Sequence, residues 1–133
     1  MIYALDSNII SYLLKDDKQV QERFRAEIDD GNIYTIPQLV YYEIKRGLFF
    51  INAQVKLKAF NELYYEGIMN EMIITTWDKA VEIYIKLTNK GKLIDDADIF
   101  IAALCVVNNY ILVTNNIRHF EDISDLNFVN WKE

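Results

Sequence analysis

The sequence predicts an α/β fold in three layers, with a central parallel sheet flanked by helices. Three observations predict it. Residues 2–5, 33–36 and 111–113 are short runs, mostly apolar or β-branched, as strands buried on both faces are. Between them lie segments whose apolar residues recur at helical spacing, and strands alternating with helices imply a parallel sheet. Two of the runs are followed at once by polar residues, Asp6-Ser7-Asn8 and Thr114-Asn115-Asn116. Those residues then stand outside the carboxyl ends of strands, where open α/β sheets hold their ligands.

The elements follow in order. Ile2-Tyr3-Ala4-Leu5 is apolar on both faces, and Asp6-Ser7-Asn8 turns it into a helix ending near Leu14. Asp16-Asp17 can cap a second helix, in which Val20, Phe24 and Ile28 repeat at four-residue spacing until Asp30-Gly31-Asn32 stops it. After the strand at 33–36, Pro37 fits the first turn of a helix with Leu39, Val40, Ile44 and Leu48 inward and Gly47 near close packing. Glu43 lies at the edge of that face. A helix over residues 52–69 presents Val55, Leu57, Phe60, Leu63 and Tyr64, and residues 72–75 read as a further strand. Residues 77–89 repeat as a helix, closed by Lys90-Gly91-Lys92 with a glycine and favourable positive charge. Asp95-Asp96-Ala97-Asp98 then opens a buried apolar helix. Residues 111–113 form a strand, 115–121 a turn or short helix, and Phe128-Val129 an edge strand.

At 133 residues the chain reads as one domain, of a size that buries about two thirds of the unfolded surface. One cysteine cannot form an intrachain disulfide and no export leader is evident, so the cytoplasm is the expected location. The apolar run 99–107 falls far short of the roughly 20 residues a bilayer span needs. A net charge of −6 and a pI near 4.8 exclude nucleic-acid binding through a broad basic surface and suit a basic protein partner. That exclusion weakens where acids gather around divalent ions, which invert the local field and can meet a phosphate oxygen. Tyr34, Tyr41, Tyr42, Tyr64, Tyr65 and Tyr84 fall in amphipathic segments and read as core or subunit interface.

Each acid has a plain alternative. Asp6 can be a helix N-cap. Glu43 can be a solvated helix residue paired with Lys45, Arg46 or Arg23, and Asp95, Asp96 and Asp98 suit a helix first turn. Yet two carboxylates about 4 Å apart repel by roughly 4 kcal/mol at an effective dielectric near 20, so acids converging from several elements need protons or a cation. Asp95 fits a cap.

Four segments together carry a specific resemblance: Leu5-Asp6-Ser7-Asn8; Ile36-Pro37 followed by Glu43-Ile44-Lys45-Arg46-Gly47; Asp98-Ile99-Phe100-Ile101-Ala102-Ala103; and Val113-Thr114-Asn115-Asn116 followed by Phe120. In order and spacing the chain resembles the PIN-domain ribonucleases, specifically the VapC-type toxins of toxin–antitoxin pairs, over essentially its whole length. The resemblance implies a three-layer PIN-like fold and a site for Mg²⁺, or Mn²⁺, at one edge of the sheet. It implies that Asp6, Glu43 and Asp98 are the catalytic and metal-holding acids, with Asp96 auxiliary and Ser7, Asn8, Thr114 and Asn116 supporting. Asn116 is a departure, standing where these nucleases often carry a fourth Asp, and the lost charge disfavours a tightly held second ion. An inhibiting antitoxin and a homodimer are implied as partners.

Mg²⁺ prefers oxygen ligands and keeps several waters, so three carboxylates leave room for a phosphate oxygen and an attacking water. The expected reaction is metal-dependent hydrolysis of an RNA phosphodiester. Arg46 and Arg118 are the better candidates for RNA phosphate contacts, ahead of Lys45, Lys15, Lys90 and Lys92. His119, the only histidine, reads as structural or solvent-facing, and Cys105 as a buried thiol. One alternative is a non-catalytic PIN-like binding module, its site decayed at Asn116. A phosphoacceptor domain is disfavoured, because no paired acids follow the first strand and no lysine ends the strand 111–113.

Overall fold

The computed structural model describes residues 1–133. Its elements run β1 (Ile2–Leu5), α1 (Ser7–Leu14), α2 (Lys18–Asp29), β2 (Ile33–Thr35), α3 (Gln38–Phe50), α4 (Gln54–Glu66), α5 (Ile74–Asn89), α6 (Asp96–Asn108), β3 (Ile111–Val113), α7 (Ile117–Phe120) and β4 (Phe128–Val129). The strands form one parallel sheet in the order β2-β1-β3-β4. Tyr3 pairs with Tyr34 on one side and Ile111 on the other, and Leu5 pairs with Val113. The chain leaves β1 for β2 on one side, then crosses back to β3 on the other. The strand order therefore reverses between β1 and β3, the position at which open α/β sheets form a crevice.

Both faces of the sheet are covered, so its central strands are apolar throughout. Ala4, Leu5, Leu112 and Val113 are fully buried. Helix α1 packs on α2, α3 and α4, while α6 packs on α5 and α7. Helix α6 is buried along its length at Ile99, Ile101, Ala102, Ala103, Leu104 and Cys105, which accounts for its continuous apolar sequence. Asp17 caps α2 by accepting from the Val20 N–H. Gly91 follows α5 at φ +69°, a left-handed conformation that glycine adopts without steric cost. No helix is long and apolar enough to cross a membrane.

The strand expected at 72–75 does not form. Helix α5 already begins at Ile74, and residues 69–73 are irregular. The free edge of β2 is closed earlier, by a single bridge between Thr35 and Ile68. Asn70 then takes the place of a strand: its Nδ2 donates to Thr35 Oγ1 at 2.8 Å and to the Ile36 carbonyl at 2.7 Å. The Thr35 hydroxyl in turn donates to the Ile68 carbonyl at 2.7 Å. With these groups satisfied, Met72 and Ile73 have no edge to join. Helix α4 is also shorter than expected, and Val55 is 85% exposed rather than part of its inward stripe of Leu57, Phe60, Leu63 and Tyr64. Gly47 has open space where a Cβ would stand, so it is not required by close packing.

Candidate active site

Asp6 ends β1 and begins α1. One carboxylate oxygen accepts from the Ser7 N–H at 2.8 Å, which makes Asp6 the cap of α1. The other accepts from Thr114 Oγ1 at 2.8 Å and, more weakly, from Asn8 Nδ2 at 3.4 Å. The cap and site readings are therefore compatible, since each uses a different oxygen. Asp6 is 3% exposed, and its backbone N–H extends the pairing of β1 with β3 by donating to the Val113 carbonyl. Thr114, fully buried just past β3, also accepts from the Asn116 N–H at 3.0 Å. Asn8 Oδ1 accepts from the Asn115 N–H at 2.9 Å, so the two polar turns are laced together. Ser7 contributes its backbone N–H to this lattice.

Glu43 projects from α3 and makes no ion pair. Lys45 donates to the Tyr41 hydroxyl and Arg23 pairs with Glu27, while Arg46 lies over the Tyr42 ring without an ion pair to Glu43. Burial pushes the Glu43 carboxyl above its ordinary range, the charges of Asp6 and Asp98 push it further, and Arg46 partly opposes them. Asp98 lies in the first turn of α6. Burial raises its carboxyl as well, with Asp6 and Asp95 adding to the effect and His119 working against it. The charge of Asp6 thus reaches both Glu43 and Asp98, and that of Asp98 reaches Glu43.

No three carboxylate, imidazole or thiol groups stand at the spacing of a closed ligand set. The two facts are consistent, because charges couple over several ångströms whereas direct ligation requires donors converging on one point. An all-oxygen donor set suits a hard cation that retains water, and the chemistry of these carboxylates fits Mg²⁺ or Mn²⁺.

Other sequence expectations divide. Asp96 is exposed in the first turn of α6. Asp95 stands at the N-cap of α6, but its side chain makes no capping hydrogen bond. Asn116 and Arg118 are exposed around α7. His119 was expected to be structural or solvent-facing; it is about half exposed, yet its Nδ1 lies 2.8 Å from Asp98 Oδ2. Sequence reasoning also passed over Lys56. With Lys15, Ser11, Leu14, Ile44 and Glu43 it lines a cleft of about 260 Å³. Its only sequence signal is positive charge on a helix that carries none of the three candidate acids.

The PIN domain matches residues 3–126. The chain belongs to the PIN-domain family. It is 29% identical to Ribonuclease VapC1 of Haemophilus influenzae over 136 residues, covering 98% of each chain. It is 37% identical over 83 residues to Ribonuclease VapC1 of Methanocaldococcus jannaschii, covering 62% of this chain and 59% of that one. Among solved structures it resembles VapBC2 from Rickettsia felis bound to a DNA fragment from their promoter. That match has a TM-score of 0.87 and 27% identity over 99% of this chain and 100% of the other. The PIN fold accounts for the strand order β2-β1-β3-β4.

Proposed function

We propose that this protein is a metal-dependent endoribonuclease toxin of VapC type, hydrolysing RNA phosphodiester bonds and restrained by a cognate antitoxin. The observation that carries this reading is the coupling of Asp6, Glu43 and Asp98, acids from three elements, with Glu43 in no ion pair. Asp6, Glu43 and Asp98 hold Mg²⁺, or Mn²⁺, as the catalytic acids. When bound, the ion supplies Lewis acidity at a phosphate oxygen and a water of lowered pKa. Thr114, Asn8 and the Ser7 N–H fix both oxygens of Asp6, so that this carboxylate does not reorganise as charge develops. A water oxygen bonds to phosphorus and gives up a proton to solvent, the bond to the leaving sugar oxygen breaks, and that oxygen takes up a proton. Asp96 is an outer participant at most, and Asn116 an amide in a supporting position. Arg46 and Arg118 guide the RNA backbone, joined by Lys15 and Lys56 along the cleft beside Glu43.

The antitoxin accounts for the apolar groove lined by Leu13, Leu14, Phe24, Ile28 and Leu63, and a basic segment suits the net charge of −6. A homodimer accounts for the exposed stripe of Ile74, Trp77, Val81, Tyr84 and Ile85 on α5. The protein acts in the cytoplasm. Incubating purified protein with structured RNA, with and without Mg²⁺ or Mn²⁺, tests the activity; cleavage that persists in chelator contradicts the mechanism. Asn116 favours one second reading, a non-catalytic PIN-like binding module. A protein that fails to bind Mn²⁺ in a Glu43-dependent way would support it.

A further inference from the structure

The three acids differ in how firmly they are held. Asp6 accepts from Ser7, Thr114 and Asn8, whereas Glu43 accepts from no side chain or backbone donor. Asp98 has a single side-chain partner, His119, whose Nδ1 lies 2.8 Å from Oδ2. A carboxylate only accepts, so the ring nitrogen facing it carries the hydrogen. The imidazole is itself well placed. Helix α7 is anchored by Phe120, which is fully buried, and the His119 N–H donates to the Asn116 carbonyl at 3.1 Å. The side chain of Asp98 is 17% exposed against 47% for His119, so the ring lies over the carboxylate from the solvent side.

We propose that His119 is a positioning residue of the metal site, its Nδ1–H holding Asp98 Oδ2 and so fixing the orientation of that carboxylate. Hydrogen-bonded partners of metal ligands orient them in this way, and their loss weakens metal binding by about 10–100-fold. The same contact gives α7 a part in the site. Where Asn116 brings an amide and no charge, His119 brings a donor, so α7 organises the existing acids without adding a fourth. The proposal rests on the reading of Asp98 as a metal-holding acid.

Calorimetric titration of the full chain with Mn²⁺ tests it, using wild type, His119→Ala, His119→Asn, His119→Gln, Asp98→Asn and the double variant Asp98→Asn with His119→Ala. The Asn amide nitrogen occupies the place of the imidazole Nδ1, while the Gln amide reaches past it. His119→Ala and His119→Gln are expected to weaken Mn²⁺ binding about 10-fold or more, and His119→Asn to restore most of the loss. In the Asp98→Asn background, His119→Ala is expected to change nothing further. Cleavage by His119→Ala should recover as Mn²⁺ is raised, with KM for RNA unchanged. Unaltered Mn²⁺ affinity in His119→Ala alongside weakened binding in Asp98→Asn overturns the positioning role alone. A kcat loss that added Mn²⁺ does not recover overturns it as well. Equal affinity in wild type and Asp98→Asn overturns the underlying metal-site reading.

Discussion

Thr114 Oγ1 donates a 2.8 Å hydrogen bond to Asp6 Oδ2, joining two buried residues 108 positions apart at the ends of adjacent strands. The contact exists because β1 and β3 are parallel neighbours in register, Leu5 beside Val113, so the residues that follow each strand emerge side by side. Sheet topology thereby becomes site geometry. Thr114→Val keeps the shape and removes the donor, leaving that oxygen only the 3.4 Å contact from Asn8. A loss of about 1.5–3 kcal/mol in stability is expected, the range for hydrogen bonds to charged groups, together with reduced cleavage. Thr114→Ser should retain both. Denaturant titration and an RNA cleavage assay on the same preparations check this.

Glu43 should oppose folding in the metal-free protein. Burial first, then Asp6 and Asp98, raise its carboxyl above the unfolded value, so the folded state binds the proton more tightly. Its contribution to stability is present below the ordinary carboxylate range and is lost as pH rises through the raised value. Glu43→Gln is therefore expected to melt higher than wild type at neutral pH without metal, with the difference shrinking toward pH 4, while losing activity. Adding Mn²⁺ should stabilise wild type more than the variant. Melting curves at several pH values, with and without Mn²⁺, decide the matter.

Asp17 should behave in the opposite sense. Lys132 Nζ at 2.6 Å and the Val20 N–H hold its carboxyl below the usual range, tying the C-terminal segment to the start of α2. Its stabilisation is present above the ordinary Asp range and is lost as pH falls through the lowered value. Asp17→Asn preserves the cap and removes the ion pair. The variant is expected to melt below wild type at neutral pH, to converge with it in acid, and to keep cleaving RNA.

Asn70 should carry more of the fold than a linker residue usually does. Asn70→Ala removes two donors from the closed edge of β2 and the oxygen that accepts from the Gln38 N–H at the start of α3. A loss of about 2–4 kcal/mol is expected, since buried partners are left unpaired. A chemical denaturation midpoint close to wild type would show that the sheet edge is sealed by other means.

Much of this architecture was readable because burial imposes patterns. β1 and β3 are apolar on both faces, and α6 is apolar all round, because each is enclosed by other elements. Residues 72–75 misled for a physical reason: Ile73-Ile74-Thr75 is β-branched, but whether a strand forms depends on a free edge, and Ile68 and Asn70 occupy that edge first. Asp6, Glu43 and Asp98 are singled out by the resemblance of their segments to the PIN-domain ribonucleases, since each alone has an ordinary structural use. The contact of His119 with Asp98 was hidden because it spans 21 residues and depends on how Phe120 seats a four-residue helix. Asp95 showed the reverse, a residue in a capping position that does not cap.

The central claim is that Asp6, Glu43 and Asp98 act as one metal-dependent site on RNA. The most direct test compares Mn²⁺-dependent cleavage by Asp6→Asn, Glu43→Gln and Asp98→Asn with that of the triple variant, each confirmed folded by circular dichroism. Residues that act as a unit are strongly non-additive, so each single change is expected to lower the rate by about 100-fold or more and the triple change to add little. Losses that multiply, or any single variant that cleaves like wild type, would contradict the account.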